Sequence, residues 1–277
     1  MNTRNSVKLS TLLLVLLVPL AAMAQIPYGN NPDAGHYFDS DGVKLYYEIY
    51  GQGEPLLMLH GGVFGYISEY EHLIPKLAGR FQVICLATRG HGKSEIGHES
   101  FTYLQRAEDA RRLLLHLKIS QATVLGFSDG GFAGLMLAAQ YPELVTKLIA
   151  MGVGDKTDDS ESEKYYYTSQ SLLAEYGDYF RGLVKLMPEP DRWDECLSFG
   201  NDLYNEHRLS TDTFAKIKCP VLIMNGDHDN NGNIDPVIRC YKSIPNAQLS
   251  IIPGCGHVIF YCNLPAVWKS MQKFLQE

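Results

Sequence analysis

Six short and nearly unbroken apolar runs recur along the chain, at residues 55–59, 82–86, 122–125, 145–151, 221–224 and 248–252, each leading into a loop that carries Gly, His, Arg or Asp. Between them, residues 102–117, 130–141, 236–243 and 264–275 place apolar side chains at helical spacing. A strand without polar alternation is buried on both faces, so this order predicts a mostly parallel sheet flanked by helices. In such sheets the functional groups gather in the loops at the carboxyl ends of the strands. A further run, Val43–Tyr50, does alternate and is bounded by Asp41-Gly42 and Gly51-Gln52-Gly53, which predicts a strand in an N-terminal hairpin.

Residues 155–213 interrupt the alternation. They contain no strand-like run, are rich in Tyr, Phe and Trp, and hold 14 acidic and six basic residues, a net −8 in a chain whose formal charge is −7. A helical insertion at this point would lie as a cap over the loop edge of the sheet. The rest of the 277 residues is almost neutral, and a chain without a basic surface is not built to hold nucleic acid.

Residues 1–24 read as an export signal: Arg4 and Lys8 precede an uncharged run from Thr11 to Ala24, which ends in Ala22-Met23-Ala24. That run is 14 residues long and contains Pro19, whereas about 20 apolar residues are needed to cross a bilayer, so no stable membrane span is expected. The mature chain, residues 25–277, would be periplasmic or secreted and carry −9 after losing two basic residues. Six cysteines (85, 196, 219, 240, 255 and 262) then meet an oxidising compartment. Cys85 and Cys219 lie in or beside apolar runs and read as buried hydrophobes, while a bridge between Cys255 and Cys262 stays an open alternative.

The run 122–125 passes directly into Gly126-Phe127-Ser128-Asp129-Gly130-Gly131 and then into a helix. A serine in a strand-turn-helix of this kind is thrown clear of the sheet, with free amides of the helix start beside it. Its hydroxyl becomes a nucleophile only when a base takes the proton, and that base needs an acid to orient it. His257, after the last apolar run, is the candidate base; Asp229 is the candidate acid, with Asp227 in reserve, because the residue past the turn has the longer reach. The order Ser, acid, His is the one expected for this elbow. The oxyanion donors are expected to be the amides of Gly62, in His60-Gly61-Gly62, and Asp129, with Val63 as a neighbour of Gly62. Phe127, Asp129 and Val63 are the expected substrate contacts. Asp227-x-Asp229-x-Asn231-Gly232 opens like a calcium loop, but Ile238 stands where its bidentate Glu belongs. No zinc spacing occurs, and the chemistry requires neither metal nor cofactor.

Taken together, Leu59-His60-Gly61-Gly62, Arg89-Gly90-His91-Gly92-Lys93-Ser94, the Gly126–Gly131 motif, Gly226-Asp227-His228-Asp229 and Gly254–His257 resemble the α/β-hydrolase superfamily across residues 38–275. Ser at position 128 separates the chain from members with an Asp nucleophile. Gly-Phe-Ser-Asp-Gly-Gly is most similar to the valacyclovir-hydrolase-like (biphenyl-hydrolase-like) serine esterases, a group that cleaves amino-acid esters. The resemblance implies an α/β-hydrolase fold with a helical cap and a small ester substrate, neutral or cationic. An Asp129 carboxylate beside the nucleophile would attract an acyl ammonium; the plainer role is to cap the following helix. An amidase, a carbon–carbon bond hydrolase and a non-catalytic ligand receptor are the competing readings.

Overall fold

Asp41 and Gly42 both adopt positive φ (59° and 80°), the geometry of a two-residue hairpin turn, and they join β1 (Gly35–Ser40) to β2 (Val43–Tyr50) in antiparallel register. The computed structural model describes residues 26–155 and 164–276; the expected export signal and part of the insertion fall outside the described residues. β3 (Glu54–Leu59), β4 (Phe81–Leu86), β5 (Ala122–Phe127), β6 (Val145–Met151), β7 (Val221–Gly226) and β8 (Ala247–Ile252) complete one sheet in the order β1-β2-β4-β3-β5-β6-β7-β8. β2 runs antiparallel to β4, and all pairs from β4 to β8 are parallel. Every residue of β5 and β7 is buried, which is why their sequences carry no polar alternation.

The helices sort onto the two faces. Among them are α1 (Ile74–Leu77), α2 (Tyr103–His116), α3 (Asp129–Gln140), α4 (Ser169–Val184), α5 (Trp193–Glu206), α6 (Thr211–Phe214), α7 (Asp235–Ser243), α8 (Ile259–Cys262) and α9 (Leu264–Gln276). Leu113 of α2, Leu135 of α3 and Val237 of α7 pack with Leu57, Val124 and Ile223 on one side of the sheet. Ile74 of α1, Ile259 of α8 and Met271 of α9 pack with Met58, Leu125 and Met224 on the other. Each large side chain so buried is worth about 1.5–3 kcal/mol.

The insertion is helical where it is described. Thr168 begins α4 by accepting the Ser171 amide at 3.2 Å in a capping box. Leu172 and Phe180 of α4 and Leu197 of α5 make a small core of their own. α5 and the turn before it are tied to the loop after β4: Glu189 accepts the Ile96 amide at 2.8 Å, Arg192 donates to the Gly97 carbonyl at 2.6 Å, and Cys196 faces Gly90. Phe64, in the loop after β3, sits edge-on against Tyr176 and Phe180 of α4. These contacts bring the insertion over the carboxyl ends of β3 and β4.

Candidate active site

Ser128 joins β5 to α3 at φ 52° and ψ −117°, a conformation that costs a non-glycine residue about 1–3 kcal/mol. The glycines around it allow this turn. A Cβ on Gly126 would stand 2.1 Å from the Gly130 carbonyl oxygen, and one on Gly130 would stand 1.9 Å from that of Leu59. The Ser128 amide is held by the Met151 carbonyl at 2.8 Å, and the Ser128 side chain makes no cap on α3, so it is left to point outward.

There it meets His257. The Ser128 hydroxyl lies 2.9 Å from His257 Nε2, and His257 Nδ1 lies 2.9 Å from Asp229 Oδ2. With a carboxylate as acceptor, Nδ1 carries the proton and Nε2 is free to take that of the serine. The imidazole is 44% exposed, so a reactant has access to it. Asp227 serves elsewhere, accepting the Gly254 amide at 2.7 Å and so fixing the loop that leads to His257. One contributor escaped sequence reasoning. Asn225, buried at the end of β7, takes the Val153 amide on its Oδ1 (3.3 Å) and donates Nδ2 to Asp229 Oδ2 (3.0 Å). A polar residue closing a fully buried strand was its sequence signal.

A disulfide joins Cys255 to Cys262 around His257, settling the pairing that the sequence left open; the other four cysteines are buried and free. Closing so short a ring is worth about 2.5 kcal/mol in the chain-entropy account. Cys262→Ser is therefore expected to lower unfolding stability by about that amount, measured by urea denaturation; equal stability of the reduced and oxidised chains would refute it.

The amides of Gly62 and Asp129 lie on the two loops that flank Ser128, and among the described residues neither has a hydrogen-bond acceptor. The Val63 amide differs, being taken by the Tyr204 hydroxyl at 3.1 Å. Gly62 is required sterically: a Cβ there would lie 2.1 Å from that same hydroxyl. The loop is steadied from behind by Glu69, which accepts the Gly61 amide at 2.7 Å. His60 is buried, takes the Thr88 amide on Nε2 and faces the Gly61 carbonyl with Nδ1; burial holds it neutral. His91 Nε2 faces the Gly62 carbonyl at 3.2 Å, and burial pushes its pKa down to about 4.

Phe127 and Asp129 do not sit as the sequence reading placed them. Phe127 is buried beneath the site, its ring 4.9 Å from that of His257, because the side chain preceding the elbow falls on the α8–α9 face of the sheet. It supports the imidazole and does not line the cavity under the insertion, which Val63 does. The Asp129 carboxylate is also buried. It receives the Tyr204 hydroxyl at 2.9 Å and pairs with Arg106 Nη2 at 3.4 Å, so its charge is compensated within the protein, and it makes no cap on α3.

Burial raises the Glu69 carboxyl to about 8, with Asp129 adding to the shift and the Gly61 and Tyr70 hydrogen bonds opposing it. The folded chain thus keeps this proton to higher pH than the unfolded one, so the group's contribution is whole below about 4.5 and is lost as pH rises towards 8. Glu69→Gln keeps an acceptor for Gly61 and has no proton to lose. Its stability advantage over wild type is expected to grow by up to about 1.4 kcal/mol per pH unit across that window and then level off. Denaturation curves at pH 4.5, 6, 8 and 9 test this, and a pH-independent difference contradicts it.

An outward serine on a strand-turn-helix elbow, within reach of a histidine and an aspartate from the next two strand ends, defines a hydrolase of the α/β type. The family described as alpha/beta hydrolase fold matches residues 54–189, and the chain belongs to the α/β-hydrolase superfamily. It is 29% identical to the human serine hydrolase BPHL over 255 residues, covering 85% of this chain and 84% of that one. It is 25% identical over 235 residues to a 2-hydroxy-6-oxononadienedioate/2-hydroxy-6-oxononatrienedioate hydrolase of Comamonas testosteroni, covering 75% and 82%. The enol-lactonase of Burkholderia xenovorans LB400 shares the fold, with a TM-score of 0.69 at 21% identity over 87% of this chain and 100% of that one.

Proposed function

We propose that the protein is a serine hydrolase of small, uncharged carboxylic esters. The observation that carries this reading is the unbroken relay from Ser128 through His257 to Asp229, each link 2.9 Å long. Ser128 Oγ attacks the ester carbonyl as His257 Nε2 takes its proton; Asp229 holds the imidazole in the receiving tautomer and stabilises the imidazolium. The amides of Gly62 and Asp129 receive the oxyanion, each worth about 3–4 kcal/mol to the transition state, and the start of α3 adds its positive dipole end. His257 returns the proton to the leaving alcohol, and water repeats the sequence on the acyl-enzyme. An acyl ammonium is disfavoured because Arg106 already compensates Asp129.

A fluorophosphonate probe tests the reading: labelling at Ser128 that disappears in Ser128→Ala supports it, and an unlabelled folded wild type refutes it. The C. testosteroni relative favours a second reading, hydrolysis of a carbon–carbon bond; faster turnover of a 2-hydroxy-6-oxodienoate than of any p-nitrophenyl ester would establish that one instead. We further propose that residues 1–24 are removed on export. The Cys255–Cys262 bridge supports an oxidising destination, and a mature protein that does not begin at Gln25 argues against it.

A further inference from the structure

Beneath the insertion lies a cavity of about 480 Å³, separate from the Ser128 hydroxyl but bounded by Val63 and Tyr204, whose amide and hydroxyl are joined beside Gly62 and Asp129. Its wall is largely apolar, with Phe101, Phe180, Trp193 and Leu197 among the residues that form it. The charged side chain on that wall is Arg106, only 4% exposed. Its Nη1 donates to Thr88 Oγ1 at 3.3 Å and its Nη2 pairs with Asp129, but its buried Nε–H has no acceptor. A donor left unmatched in a buried place costs about 1–3 kcal/mol, so a group that satisfies it gains correspondingly on binding.

The charge balance selects what that group is. Arg106 and Asp129 cancel, and His91, which also lines the cavity, is held neutral by burial. A carboxylate would bring an uncompensated charge into an apolar chamber, and an ammonium would meet a guanidinium. An uncharged oxygen acceptor adds no charge and completes the hydrogen bond.

We propose that the cavity is a specificity subsite in which Arg106 Nε–H recognises a ketone- or amide-type carbonyl oxygen on the acyl arm of the ester. This rests on the hydrolase reading and goes further by naming the substrate class. The arm passes from Ser128 over Gly62 and Val63 into the cavity, where its hydrocarbon part lies against the aromatic wall.

The test uses the full mature chain and p-nitrophenyl esters of oxo acids from 4-oxopentanoate to 7-oxooctanoate. Each is paired with the shape-matched ester that bears a methyl branch in place of the ketone. At one chain length the oxo ester is expected to show about tenfold or greater kcat/KM over its partner, and this ratio should fall to near one in both Arg106→Met and Arg106→Lys. The lysine variant keeps a cation opposite Asp129 while removing Nε, so it controls for misfolding of the methionine variant. A ratio within twofold at every length, or one that survives both substitutions, overturns the proposal, as does a preference for the glutarate hemiester or the 5-aminopentanoyl ester. Binding of the matching methyl esters to Ser128→Ala, followed by Trp fluorescence, gives a readout that does not need turnover. If no ester is hydrolysed but the oxo ligands still bind about tenfold more tightly, the hydrolase reading fails and the subsite stands; equal binding of the two ligand series removes the subsite.

Discussion

Ser128→Ala is expected to lower kcat for ester hydrolysis by at least about 10⁴-fold while leaving KM within a few-fold of wild type. The hydroxyl is the group to which His257 Nε2 is hydrogen-bonded at 2.9 Å, so its removal takes away both the attacking atom and the proton that His257 receives. The residual rate should come from the Gly62 and Asp129 amides polarising the carbonyl towards water. Ser128→Gly separates chemistry from strain. It is equally inactive but relieves a side chain held at φ 52°, and it should stabilise the fold by about 1 kcal/mol where alanine does not. Steady-state kinetics and urea denaturation on the two variants decide the matter; activity above about a hundredth of wild type in either would exclude Ser128 as nucleophile.

Much of this arrangement was readable along the chain because it depends on local order. Continuous apolar runs mark strands buried on both faces, and all six emerged as β3 to β8, within one or two residues of their expected ends. The tight turn at Ser128 is written in the glycines at 126 and 130, since any side chain there strikes backbone. Asp229 could be preferred to Asp227 by reach alone, and the two fall at the imidazole and at the Gly254 amide respectively. What remained hidden was lateral. Arg106 is one of several charged residues on an amphipathic helix, and nothing in its spacing shows that it turns inward to meet Asp129 from a different loop. The ammonium anchor imagined for Asp129 was lost to that contact. Phe127 likewise lies one residue from the elbow, yet the twist of the turn sends it below the site instead of into the cavity. Asn225 is separated from Val153 by 72 positions, a pairing visible only when β6 and β7 are side by side.

Asn225 also shapes the expected behaviour of the acid. Asp229→Ala should lower kcat by about 10⁴-fold, since the imidazole loses both its orientation and the charge that stabilises its protonated form. Asp229→Asn would be comparably damaging if its amide turned the –NH₂ towards His257, because Nδ1 would then become the acceptor and the proton would sit on Nε2, facing the serine. Asn225 opposes that orientation. Its Oδ1 is committed to the Val153 amide, so its own –NH₂ faces position 229 and demands an oxygen there. The asparagine at 229 should thus offer the same oxygen to His257 and preserve the productive tautomer, leaving only the loss of charge. A kcat at least about tenfold above that of Asp229→Ala is expected, with the advantage abolished when Asn225→Ala is added. Equal activity of Asp229→Asn and Asp229→Ala would show that Asn225 does not set the orientation, and a near-wild-type Asp229→Ala would remove Asp229 from the relay altogether.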